Sequence, residues 1–207
     1  MADQLRALVV YESMFGNTER VAQAIGAGLR ETMAVVLSAV DDAPAQVPAD
    51  VDLLVVGGPT HAFGMSRPAT RSDASDHGRL IMSPEAGIRE WLGQLPDRQG
   101  RCAAATFDTR MTKVRWMPGS AAHGAAKVLH ERGYPLLLKP TSFCVVDTFG
   151  PLMDDQLPRA REWGSDLAKE LRAGILDRTK NEASAISAEF GADRPVDHSA
   201  LHFGGRV

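Results

Sequence analysis

Residues Val9–Ile25 read VVYESMFGNTERVAQAI, an apolar strand that passes through a short polar loop straight into a helix. Val9, Val10 and Tyr11 close a β-rich run that begins at Leu5. After Thr18, a residue type suited to an N-cap, Val21, Ala22, Ile25 and Leu29 recur at helical spacing. Between the two elements, Ser13-Met14-Phe15-Gly16-Asn17-Thr18 sets two hydroxyls, a side-chain amide and a glycine beside the first backbone N–H groups of the helix. Those N–H groups have no partner within the helix. Together with the positive end of the helix dipole they make an anion site, and a phosphate suits it best.

Downstream, this helix is expected to end near Glu31, and Met33–Ala39 to form a short strand. Asp41–Asp50, with Pro44 and Pro48, is a surface connection. Val51–Gly57 (VDLLVVG) is an almost unbroken β-branched and leucine run, the pattern of a strand buried on both faces. Gly58-Pro59 stops it, Thr60–Pro68 reads as loop, and Ala69–Met82 is a polar insertion of the kind that serves as a lid or binding loop. Ser83-Pro84-Glu85 predicts a helix start, with Ile88, Trp91, Leu92 and Leu95 as its buried stripe and Pro96 as its stop.

Arg101–Phe107 is the next strand and Asp108–Pro118 a second polar loop. A helix capped by Ser120 follows, with Ala125, Val128 and Leu129 inside and Gly133 just past its end. Pro135–Val146 gives a proline-interrupted strand region, Asp147–Met153 a loop, and Asp155–Ala173 a helix with Ala160, Trp163, Leu167 and Leu171 on one face. This alternation predicts a parallel sheet with helices on both faces, joined by right-handed crossovers. Beyond it, the capping box Thr179-Lys180-Asn181-Glu182 predicts one short helix docked through Ile186 and Phe190, then a mobile end. The expected organisation is a domain at 1–173 and a C-terminal extension at 174–207.

Several functional classes are disfavoured. A net charge of −3 over 207 residues leaves no electrostatic footprint for nucleic acid. No run is long enough to span a bilayer, and the first residues lack a basic segment followed by an apolar one. The two cysteines, Cys102 and Cys144, have neither CxxC nor metal-ligand spacing, so reduced thiols in a cytoplasmic protein without a metal are expected. His198 and His202 lie four apart without further ligands nearby in sequence. The first strand is not followed by GxGxxG, no serine sits in GxSxG, and Gly57-Gly58-Pro59 stands where a phosphoacceptor aspartate would be needed.

Open parallel sheets bind ligands beyond the carboxyl ends of their strands, where Ser13–Thr18, Gly58–Pro68 and Asp108–Pro118 all fall. The opening stretch resembles the phosphate-loop signature of the flavodoxin family, whose slots are filled by Val9, Val10, Tyr11, Ser13, Gly16, Thr18, Ala22 and Ile25. GGPTHAFGM, after the third strand, is similar to the second flavin loop of flavodoxins and the related quinone reductases. The resemblance runs from Leu5 to about Ala173. It implies an α/β, flavodoxin-like three-layer sandwich with a five-stranded parallel sheet of order 2-1-3-4-5, and FMN as the cofactor.

It further implies Ser13, Met14, Phe15, Gly16, Asn17 and Thr18 around the phosphate. Pro59, Thr60, His61, Ala62, Phe63 and Gly64 would lie along the isoalloxazine ring, with Phe63 stacking on it. Phe107, Asp108, Thr109 and Arg110 would approach from the third loop. Flavodoxins usually present a tyrosine there; this chain offers Phe107, Met111 and Trp116, the last either a lid or packed on the following helix. The phosphate loop holds no Lys or Arg, so hydroxyls, the Asn17 amide and helix N–H groups would carry the phosphate. A tight turn merely capped by Ser13 and Thr18 is the plain alternative, and a deazaflavin would present the same phosphate.

The ring loops carry Arg67, Arg71, Arg110, Lys113 and Arg115. Cations facing inward would favour two-electron reduction or hold an anionic substrate. The function expected is electron transfer between a reductase and an acceptor. One alternative is an FMN-dependent NAD(P)H/quinone-type reductase, with the insertion as lid and the arginines as substrate clamp. A second is a flavin-free binding module on the same fold. The expected partner is accordingly a redox protein or a small quinone-like or nicotinamide substrate.

Overall fold

A computed structural model describes residues 4–77, 86–98, 102–114 and 116–190. Five strands, β1 (Arg6–Tyr11), β2 (Ala34–Ala39), β3 (Leu53–His61), β5 (Ala103–Met111) and β6 (Thr141–Val145), form a parallel sheet in the order β2-β1-β3-β5-β6. This is the predicted order, with one addition. A sixth strand, β4 (Gly64–Met65), folds back antiparallel on the end of β3, pairing Thr60 with Met65 and His61 with Gly64. The stretch expected as loop at Thr60–Pro68 therefore begins as a hairpin. Its turn residues Ala62 and Phe63 have φ of 44° and 65°, left-handed values that the usual Asn-Gly turn signal would have announced.

The helices are α1 (Asn17–Leu29), α2 (Pro68–His77), α3 (Ile88–Gln94), α4 (Ala121–Glu131) and α5 (Gln156–Phe190). Strand alternation sorts the core into two layers. Leu8 and Val10, Leu54 and Val56, and Ala104 turn to one face, where they pack on Ile88 and Leu92 of α3 and Ala125 and Leu129 of α4. Val9, Val55 and Ala105, paired in register across the sheet centre, turn to the face covered by α1 and α5. Phe107 lies on that second face, edge-on to Phe143 and Trp163, and its ring fills the space a side chain on Gly57 would need. α1 and α5 cross at glycines: a Cβ on Gly28 would overlap the Arg161 carbonyl, and one on Gly164 the Ile25 carbonyl.

Several bounds differ from expectation. The polar insertion is not simple loop: its described part is α2. The helix start at Ser83-Pro84-Glu85 lies outside the described residues, and α3 begins at Ile88. The Pro135–Val146 region narrows to β6 plus a single bridge between Leu136 and Ala104. Thr179 does not start a new helix; α5 is continuous through it, and its Oγ1 bonds the Ile175 carbonyl at 3.0 Å.

The chain divides into two compact units, Met1–Leu171 and Arg172–Val207. The sheet and its covering helices belong to the first, and the second is described only as helix up to Phe190. The side chains of Ile186 and Phe190, and all of residues 191–207 with His198 and His202, lie outside the described residues. Among the described residues no helix is long and apolar enough to cross a membrane, and no group of His, Cys, Asp or Glu has metal-binding geometry. Cys102 is buried, and burial pushes its thiol up to about 11.

Candidate cofactor site

The loops at the carboxyl edge of the sheet enclose a cavity of about 210 Å³. One end of it is built by the β1–α1 turn. The N-cap position of α1 is Gly16, at φ 85°, a left-handed conformation that glycine adopts without strain. Thr18, expected as the cap, instead lies within the first turn, buried, with its Oγ1 2.7 Å from Thr109 Oγ1. Two hydroxyls sharing one hydrogen bond leave one O–H free to donate elsewhere. Ser13 Oγ accepts the Glu19 N–H at 3.1 Å and keeps its own proton to donate. Asn17 Nδ2 reaches across to the Phe149 carbonyl at 3.1 Å, while Phe15 meets the Phe149 ring edge-on at 4.9 Å.

Met14, Phe15, Asn17 and Thr18 line this part of the cavity; Ser13 and Gly16 shape the turn behind it. The opposite part is lined by Pro59, Thr60, His61 and Ala62 from the β3–β4 hairpin and by Thr109, Arg110 and Met111 from the end of β5. Thr60 Oγ1 accepts the Ala121 N–H at 2.8 Å and Asp108 Oδ2 the Ala122 N–H at 3.0 Å, so the first turn of α4 ties the two loops together. His61 is held below its ordinary value, first by burial and then by the positive field of Arg71, and is neutral at pH 7.

The structure separates the remaining expected residues. Phe63 and Gly64 do not line the cavity; the Phe63 side chain is 47% exposed and its backbone abuts Gly119. Phe107 is a core residue, not a ring contact, because strand parity turns it toward α5. Asp108 is enclosed and serves the start of α4. Trp116 is 81% exposed. Among the cations, Arg110 is buried and contributes to the cavity wall, Arg71 is buried away from it, Arg67 and Lys113 are exposed, and Arg115 lies outside the described residues.

Sequence reasoning missed the fourth wall. Val145 and Thr148 line the cavity from the β6–α5 connection, and Phe149 covers Phe15. The signal was available, since every loop leaving the carboxyl end of a parallel strand opens on the same edge. The donor set fits FMN: neutral O–H and N–H donors at a helix N-terminus suit its phosphate, and a slot between two strand-end loops suits a planar ring. FMN is also the cofactor that the flavodoxin family carries.

The flavodoxin family model matches residues 9–80. No curated protein sequence matches the chain significantly. Among solved structures, a flavodoxin from the domain Archaea is 20% identical with a TM-score of 0.54, over 81% of this chain and 99% of its own. Oxidised flavodoxin 2 from Bacillus cereus is 18% identical with a TM-score of 0.57, over 80% of this chain and 99% of its own. The flavodoxin of Streptococcus pneumonia TIGR4 is 16% identical with a TM-score of 0.55, over 82% of this chain and 99% of its own. At such identities the structural likeness is one of fold. The chain thus matches the flavodoxin family model over residues 9–80 and shares the flavodoxin fold over about four fifths of its length.

Proposed function

We propose that the chain binds FMN in the strand-end cavity and carries electrons between a reductase and an acceptor. The observation that carries this reading is the division of the cavity. One end offers neutral polar groups on Asn17 and Thr18, beside the Ser13–Gly16 turn that opens α1, and the other is a slot between Pro59–Ala62 and Thr109–Met111. Bound FMN supplies the capacity to accept and return electrons. The chain's residues hold its phosphate, orient its ring and limit water at the ring. Six of the eight large hydrophobic side chains exposed among the described residues lie on the loops around this cavity: Phe63, Trp116, Met117, Val146, Phe149 and Met153. An exposed apolar rim of that kind supports docking of a redox partner beside the ring.

A second reading, a reductase acting directly on a quinone-like substrate, is favoured by Arg110, whose buried cation stands in the cavity wall. Steady-state kinetics distinguish the two. Electron delivery that needs both a separate reductase and an acceptor protein supports the carrier. Rapid turnover of a reduced nicotinamide with a quinone, with no second protein present, overturns it in favour of the reductase. Purified chain that stays colourless with added FMN overturns both and leaves a flavin-free binding module.

A further inference from the structure

Within α2, otherwise a polar helix reading PATRSDASDH, Arg71 has no exposed surface. Its Nη1 donates to Ser66 Oγ at 2.8 Å, and its Nη2 lies 3.1 Å from Glu90 Oε2 on α3. Glu12, which follows β1, is equally enclosed, and its Oε2 accepts the Ile88 N–H at the start of α3 at 3.0 Å. A Cβ on Gly87 would overlap Arg71 Nη1 and stand 2.9 Å from Glu12 Oε2, so this glycine leaves room for both groups. Burial pushes the Glu12 carboxyl up, against the lowering pull of Ser66, the Ile88 N–H and Arg71, and Glu90 pushes it further. A strand end, the insertion helix and a helix of the sheet's cover thus meet in one enclosed polar cluster.

Enclosing charges in this way is costly, and breaking such a set by removing one member leaves the others uncompensated. Such a cluster is best understood by what it grips. Ser66 directly follows β4, the returning limb of the hairpin whose outgoing limb, Pro59–Ala62, lines the cavity. Arg89 of α3 holds the same limb, with Nε on the Ser66 carbonyl at 3.0 Å and Nη2 on the Met65 carbonyl at 2.7 Å. The hairpin tip, with Ala62 and Phe63 both left-handed, is a conformation these residue types do not favour on their own. The insertion is therefore anchored behind the hairpin by a buried side chain.

We infer that Arg71 is a positioning residue for the ring end of the pocket: through Ser66 it fixes the β3–β4 hairpin, while Glu12 and Glu90 hold Arg71 in place. This rests on the FMN reading of the cavity. The test titrates purified apoprotein with FMN and with riboflavin, which has the ring but no phosphate, following flavin fluorescence. Arg71→Met is expected to weaken both flavins by the same factor, tenfold or more, and Arg71→Lys to restore part of that loss. Gly16→Asp, at the phosphate end, is expected to weaken FMN far more than riboflavin.

Ser66→Ala, which removes the link but leaves the Arg71–Glu90 pair, guards against a variant that fails to fold; it is expected to shift both flavins together by a smaller factor. Unchanged riboflavin affinity in folded Arg71→Met, or in Ser66→Ala if Arg71→Met does not fold, overturns the inference, whatever happens to thermal stability. So does loss of FMN without loss of riboflavin. Wild-type protein that binds neither flavin overturns the reading of the cavity, and this inference falls with it.

Discussion

Gly16 holds the left-handed position that opens α1, and nothing lies within 4 Å of where its Cβ would be. Backbone strain, not crowding, is therefore what a substitution meets there. Gly16→Ala is expected to cost about 1 kcal/mol in chemical denaturation. Gly16→Asp adds a negative charge where the proposed reading puts the phosphate, and FMN binding measured by fluorescence titration should be lost. Glu12 gives a prediction about pH. Burial raises its folded value above the ordinary 4.5, so between those two values the folded state holds a proton that the unfolded state has released. Its contribution to stability is full below 4.5 and declines as pH rises through the folded value. Urea titrations across this range should show wild type losing stability relative to Glu12→Gln as pH increases; the opposite trend contradicts the burial of an ionisable Glu12. At this scale the strand–turn–helix at Val9–Ile25 was legible because its apolar runs and the glycine between them mark the two elements and the turn. Glu12 and Arg71 were not, because a charged residue in a strand-end loop or polar helix looks solvated until its enclosure is seen.

Among the elements, the central strands β1, β3 and β5 were legible because burial on both faces writes nearly continuous apolar runs, as in Leu53–Gly57. The β3–β4 hairpin was not, since its turn is Ala62-Phe63 rather than a pair with a glycine or asparagine. Helix α2 escaped for a related reason: Arg71, not an apolar stripe, anchors it, so the helical period leaves no hydrophobic trace. The α1–α5 crossing depends on residues whose meaning appears only in three dimensions. Gly28 and Gly164 each face the backbone of the opposite helix too closely for a methyl group. Gly28→Ala is expected to destabilise the protein by about 1–3 kcal/mol, measured by urea denaturation, because two packed helices must separate to admit it. A neutral effect would contradict the close crossing.

At the level of the whole molecule, the cavity is a product of topology. Parallel strands deliver all their outgoing loops to one edge, and there the β1–α1 turn, the β3–β4 hairpin, the end of β5 and the β6–α5 connection converge. The sequence resemblance led to three of these walls; the fourth, with Val145 and Thr148, came from the fold. Ligand binding of the kind proposed stabilises the folded state by mass action, about 2.7 kcal/mol at a hundredfold excess over Kd. The most direct test of the account is a titration of the purified apoprotein with FMN, followed by flavin fluorescence. The account predicts saturable binding of one FMN per chain, with a yellow complex and a raised melting temperature. FMN that remains free in solution and leaves the melting temperature unchanged would contradict it.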